Sequence, residues 1–374
     1  MIAQLDIKQA HATRPIASAM SAFWAGFVQP SFFALALMAV VFVIAAGGVL
    51  FGVTPSALAG PLGQYVPRAS DDAEGFATRD AYQLADPGTP AGTRPRLYVI
   101  GNSLVAQAFA SAPALEHDLR NVTGRDWNLY VMTTPLQGPL DEAALADYAT
   151  SRHSGTVVLS IGFDRLYSDR DYLLRYYKMG RLGFRSEFAD NMVRQYLDTR
   201  PRRHTGIFLV DNRNFVLRNA TMTGLRMLTR QPAEQKIDIY VFRQTDIKLS
   251  TYSREILASL RATYRHDGVA VKLLENTAAM LKERGNRIVF YQTTISDDLL
   301  TNPADRERYQ IHLANSAALA KRLGGYYCEA PAAAKPPPQA YRDYYHIDDP
   351  VWQEKLRVTL AHCVAAANRE RTPV

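Results

Sequence analysis

Leu97-Tyr98-Val99-Ile100-Gly101-Asn102-Ser103-Leu104 decides how this chain is read. Four apolar residues in a row, with no polar alternation, predict a strand buried on both faces. The Gly-Asn-Ser that follows has the residue types of a tight turn. A serine on such a strand-to-helix turn exposes its hydroxyl at the edge of a sheet, with a helix N-terminus behind it. Ser103 is therefore a candidate nucleophile.

The same grammar repeats along the chain. Leu97–Ile100, Trp127–Met132, Thr156–Ile161, Arg287–Thr293 and Gly325–Cys328 read as short strands, most of them continuous apolar runs. Helices with legible ends lie between them. Asp141 to Arg152 has an acidic first turn, and Val269 to Arg284 stops at Gly285. Asn302-Pro303 opens a further helix that closes at Gly324-Gly325, and Asp349-Pro350 starts the last one. This alternation predicts an α/β three-layer sandwich around a parallel sheet. Residues 165–268 exceed an ordinary crossover and read as an insertion. From Arg165 to Arg230 it carries thirteen arginines and one lysine against six acidic residues. That is either a solvated basic face or a cap that meets anionic polymer or lipid headgroups. Ile237 to Phe242 would add a strand there.

The N-terminal part is of another kind. Residues 15–67 contain no charged side chain, and within them Ser31 to Val53 is 23 residues of almost purely apolar sequence. As helix this run would measure about 34 Å, enough to cross a bilayer, and it has no polar face. A cleaved signal peptide is the rival, since Ala57-Leu58-Ala59 before Gly60 has the small-x-small form. The length of the run and the roughly 30 residues before it favour a retained anchor. Lys8 and Arg14 place residues 1–30 on the cytoplasmic side, with Ile16 to Val28 as an interfacial helix. The rest would face outward. Residues 54–95, rich in proline and glycine, read as a linker, and 96–374 as the globular domain.

Composition narrows the choice further. In 374 residues, 47% are hydrophobic and 21% charged, which is globular, and the net charge of +7 is modest. No Lys/Arg run with interleaved aromatics supports nucleic-acid binding. The histidines lack metal-ligand spacing, so no metal or cofactor is expected. Cys328 and Cys363 fall on a late strand and the final helix, and either pair in an oxidising compartment or stay as two core thiols.

Asp343-Tyr344-Tyr345-His346 completes the set. Among the eight histidines, His346 alone has an aspartate three positions earlier. A carboxylate at that spacing in a loop can fix the tautomer of the imidazole and aim it.

With these blocks in order, the chain resembles the SGNH (GDSL-type) hydrolase superfamily, whose sheet is flavodoxin-like. Gly101-Asn102-Ser103-Leu104 is similar to the first block, with Asn102 where an aspartate is usual. Gly138, in Pro135-Leu136-Gln137-Gly138, matches the second. Val157 to Asp164 matches the third, and Asp343 with His346 the fourth. The resemblance covers residues 96–374 without the insertion. It implies a Ser103–His346–Asp343 triad with backbone N–H groups of Ser103 and Gly138 as oxyanion donors. The third block departs from the pattern, because Asp164 stands where an asparagine donor is usual. A carboxylate can only accept hydrogen bonds, so either Asp164 is protonated or turned away, or Asn102 or Arg165 supplies the donor. An ion pair of Asp164 with a neighbouring arginine is the structural alternative.

A single N-terminal span, a large insertion and the altered third block resemble the membrane-anchored members that O-acylate envelope polymers. Examples are alginate O-acetyltransferases and the D-alanyl transfer proteins of teichoic acid modification. The resemblance implies an inner-membrane protein with a periplasmic domain. Ser103 would receive an acyl group from a multispan membrane-bound O-acyltransferase and pass it to a polysaccharide hydroxyl. A membrane-tethered esterase or lipase is one alternative, and a catalytically weak scaffold subunit the other.

Overall fold

The computed structural model describes residues 32–52, 73–85, 92–109, 111–134, 137–167, 170–179, 186–201 and 268–369, with short isolated pieces elsewhere. The chain divides into two compact units, Met1–Val53 and Thr54–Val374.

The first unit contains α1 (Phe32–Gly52), 21 residues without a charge, roughly 31 Å long at the usual helical rise. Phe32, Phe33, Phe42 and Ile44 are strongly exposed around it. Its side chains are described only to Gly48. Counted over the described residues alone, no helix is long and apolar enough to cross a membrane, whereas the backbone helix runs on to Gly52. The expected interfacial segment Ile16–Val28 and the Ala57–Gly60 site lie outside the described residues.

In the second unit five parallel strands form one sheet in the order β2-β1-β3-β4-β5. They are β1 (Arg96–Gly101), β2 (Asn128–Thr133), β3 (Thr156–Ser160), β4 (Arg287–Tyr291) and β5 (Tyr326–Cys328). Among the described residues, α2 (Ala73–Ala85), α3 (Ser103–Phe109), α4 (Ala112–Thr123), α5 (Pro139–Ala149), α6 (Phe163–Leu166), α7 (Arg170–Met179), α8 (Glu187–Tyr196), α9 (Val269–Glu283), α10 (Pro303–Arg322) and α11 (Pro350–Arg369) accompany the sheet, with a further one-turn helix at Phe208–Asp211. The side chains of each strand alternate between two apolar layers, as the pleat requires. Tyr98, Ile100, Val157, Leu159, Ile288 and Phe290 join Ala77, Leu145 and Leu281 of α2, α5 and α9 on one face. Leu97, Val99, Val158 and Val289 join Phe109, Leu115 and Leu360 of α3, α4 and α11 on the other. Both faces are covered, which is why the strands carry no polar alternation. The parallel three-layer arrangement and the flavodoxin-like strand order agree with the expectation.

Three details differ. β4 ends at Tyr291 rather than Thr293, although Gln292 N still donates to Cys328 O of β5 at 2.8 Å. The stretch expected to be linker contains α2, whose Ala77, Ala81 and Leu84 are buried in the core. These residues sit at helical spacing and present one small apolar stripe. The start of the insertion is likewise packed: Leu173, Met192, Val193 and Leu197 bury against Leu140, Ala143 and Leu273. The strand expected at Ile237–Phe242 lies outside the described residues.

Cap chemistry sets several boundaries. Asn302 accepts from Ala304 N at 2.9 Å, and Asp349 from Val351 N at 2.9 Å. Gly285 and Gly324 follow α9 and α10 with φ of 74° and 66°, where a side chain would be strained.

A buried histidine gives this core an acid-sensitive point. His312 of α10 is fully buried, near Ser316 Oγ at 3.3 Å and Gln292 Nε2 at 3.3 Å. Burial pushes its pKa down to about 3. The unfolded chain then binds more protons than the folded one between pH 6.5 and about 3, so stability is full above 6.5 and falls on acidification. Urea unfolding of the full chain is expected to lose about 1 kcal/mol on moving down from about pH 6.5 to 5.5, above the range where ordinary carboxylates titrate. A His312→Gln variant is expected to show a nearly flat profile over that window; an unchanged slope would assign the effect elsewhere.

Candidate active site

Ser103 is the first residue of α3, separated from β1 by Asn102 alone. The turn that carries it is tightly built. The carbonyl of Asn102 accepts from Val105 N and Ala106 N, each at 3.1 Å, and its side-chain oxygen accepts from Leu104 N at 3.1 Å. Asn102 thus works as the cap of α3, an Asx role that asparagine fills well. Gly101 must be small: a Cβ there would lie 2.6 Å from Val105 Cγ2, and valine has little rotamer freedom in a helix.

His346 comes from the opposite end of the sequence, on the loop between β5 and α11. Arg342 N donates to His346 O at 2.8 Å, and Tyr341 and Ile347 form an antiparallel bridge. The loop is therefore closed on itself. Inside it, Asp343 Oδ1 accepts from Tyr345 N at 2.8 Å and from His346 N at 2.7 Å. Its other oxygen lies 2.7 Å from His346 Nδ1. Across the loop, His346 Nε2 is 3.0 Å from Ser103 Oγ. An ionised carboxylate accepts only, so the ring proton belongs on Nδ1 and Nε2 is left to accept the serine hydroxyl. Burial acts to raise the Asp343 pKa. The hydrogen bond and charge of His346, with the two backbone N–H groups, outweigh it and hold the carboxyl below its ordinary value. The aspartate stays ionised at neutral pH. Such a line can draw a proton from Ser103 and stabilise the imidazolium that results.

The strand order explains the location. The chain leaves β1 toward β2 on one side and returns to β3 on the other, so a crevice opens between β1 and β3 at the carboxyl edge. Ser103 stands at that edge. Thr134 N donates to Gly101 O at 3.1 Å and ties the segment after β2 to the serine turn. Ser296 N donates to Tyr344 O at 2.9 Å and ties the segment after β4 to the histidine loop.

The other expected residues take varied places. Gly138 caps α5, and its N–H donates to Asp141 Oδ2 at 3.2 Å. It would have to be shared with Asp141, or released by it, to serve an oxyanion. Pro135 and Leu136 lie outside the described residues. Asp164 falls on the backbone of α6, but its side chain lies outside the described residues. Arg165 is buried, with Nη2 3.0 Å from Glu142 Oε1, so in this structure its guanidinium is turned to a carboxylate.

Two residues of this region escape a reading by motif. Gln137 is buried, and its amide donates to Met132 O at 3.1 Å and Thr134 Oγ1 at 3.2 Å, holding the turn before Gly138. Glu142 accepts from Ser160 Oγ at 3.0 Å as well as pairing with Arg165. The only sequence signal was an acidic residue in the first turn of a helix, which ordinarily marks a solvated end. Compared with known protein families and with curated proteins, the chain matches none.

Proposed function

We propose that this chain is a membrane-anchored serine O-acyltransferase acting outside the cytoplasm, with a glycopolymer hydroxyl as acceptor. The observation that carries the chemistry is the Ser103–His346–Asp343 line, at 3.0 Å and 2.7 Å. Ser103 Oγ forms a bond to the carbonyl carbon of an ester or thioester while its proton passes to His346 Nε2. Collapse of the tetrahedral species breaks the bond to the leaving group, which takes that proton, and an acyl-serine remains. An acceptor hydroxyl then repeats the sequence in reverse and regenerates Ser103.

Placement outside the cytoplasm is supported by α1, uncharged over 21 residues, and by the Cys328–Cys363 disulfide. Disulfides persist in oxidising compartments. An inner-membrane anchor, a periplasmic domain and a multispan acyl donor protein are the arrangement this reading takes over from the family resemblance. Esterase activity would use the same triad with water as acceptor.

Intact-mass spectrometry of the full chain in detergent tests the reading. An activated ester or fluorophosphonate is expected to add one acyl or phosphonyl mass, mapped to Ser103 and lost in His346→Ala. An acyl-serine that waits for a sugar hydroxyl supports transfer, and rapid loss to water supports the esterase. Absence of label on Ser103 would rule out both.

A further inference from the structure

Glu142 and Arg165 form a buried ion pair that the proton relay does not use. Each is 4% exposed; Glu142 Oε1 lies 3.0 Å from Arg165 Nη2 and accepts from Ser160 Oγ at 3.0 Å. Desolvating two charges is costly, and replacing such a pair by apolar groups is often neutral or stabilising. Fold stability is therefore a weak reason for its presence. What it joins is a stronger one.

Glu142 lies in the first turn of α5, four residues after Gly138. Arg165 lies on α6, one residue after Asp164. Ser160 is the last residue of β3. Because β1 sits between β2 and β3, the segments after β2 and β3 flank the Ser103 turn on its two sides. One carboxylate thus links both flanks and the end of the neighbouring strand. Opposite charges this close and this deeply buried attract strongly, so the elements that carry them resist being moved apart.

We infer that Glu142 and Arg165 are positioning residues, an ionic strap that sets the separation of the two segments between which an acyl carbonyl must sit over Ser103. The inference rests on the acyl-enzyme reading. Neither side chain touches the reacting atoms. Each acts through the backbone it holds.

The test uses the full chain and p-nitrophenyl acetate, read as the acylation rate of Ser103, KM and thermal midpoint. Glu142→Gln alone leaves the guanidinium buried without a counter-charge and endangers folding. Glu142→Gln combined with Arg165→Met removes both charges and keeps an acceptor for Ser160. This double variant is expected to melt within a few degrees of wild type, yet to acylate about 10²-fold more slowly at a KM within about twofold, the pattern of lost alignment. Arg165→Lys, which keeps the charge, is expected to recover at least half of that loss on a logarithmic scale. A well-folded double variant that acylates as fast as wild type, or one slowed only in proportion to its unfolded fraction, overturns the strap alone. A wild-type chain that takes no acyl group on Ser103 overturns the acyl-enzyme reading, and the strap falls with it.

Discussion

Alanine at Ser103 is expected to bring ester turnover down to the level of buffer, a loss of about 10⁴- to 10⁶-fold in kcat, with His346→Ala costing a comparable amount. The argument is geometric. Ser103 Oγ and His346 Nε2 are 3.0 Å apart, and removing either atom leaves the other with nothing to do. The two losses should therefore not add: Ser103→Ala/His346→Ala is expected to be no slower than either single variant. Asp343→Asn separates orientation from mere presence. The amide would offer an N–H where Nδ1 now meets a carboxylate oxygen at 2.7 Å, and the ring would move its proton to Nε2. A protonated Nε2 cannot accept from Ser103, so kcat should fall by about 10⁴-fold with little change in KM. Steady-state p-nitrophenyl acetate kinetics on the four variants decide the matter. If Ser103→Ala keeps a tenth of the wild-type rate, the nucleophile lies elsewhere.

How much of this was legible before the coordinates depends on the range of the interaction that decides each feature. The strands could be read because burial on both faces removes polar alternation, a property of each segment alone. The pair Asp343 and His346 could be read because three residues of loop bring them together locally, while Ser103 needed only its own turn. Features that depend on a distant partner were hidden. Ala73–Ala85 reads as linker because prolines and glycines recur through the 54–95 stretch around it, while its own packing is carried by small residues such as Ala77 and Ala81. The Gly138 N–H looked available because nothing in a glycine announces that Asp141 will take it as a cap. Arg165 reads as a replacement donor for the oxyanion, and only the approach of α5 to α6 turns it to Glu142. Ionic partners of this kind are chosen by tertiary packing, so spacing along the chain carries no trace of them.

Removing the disulfide is the other change with a large expected effect, this time on stability. Cys328 of β5 and Cys363 of α11 are joined across 35 residues with Cα atoms 5.7 Å apart. The enclosed segment holds short 3₁₀ turns, Ala332–Ala334 and Pro338–Ala340, and the Asp343–His346 loop, so much of it is irregular chain that gains entropy on unfolding. A cross-link over a loop of this length contributes about 4 kcal/mol by restricting the unfolded state. Cys328→Ala/Cys363→Ala is therefore expected to lower the thermal midpoint of the full chain by roughly 10 °C under non-reducing conditions. Catalysis should respond less than stability. The loop is closed by Arg342 N to His346 O and by the Tyr341–Ile347 bridge, and Asp343 is held by its own two backbone bonds. Below the melting range the variant is thus expected to keep kcat within about threefold, because local hydrogen bonds and not the distant sulfurs aim the imidazole. A variant that melts as wild type does but loses most of its kcat would reverse that assignment. The disulfide would then hold the histidine loop in place directly, and its reduction would silence the site before the fold gave way.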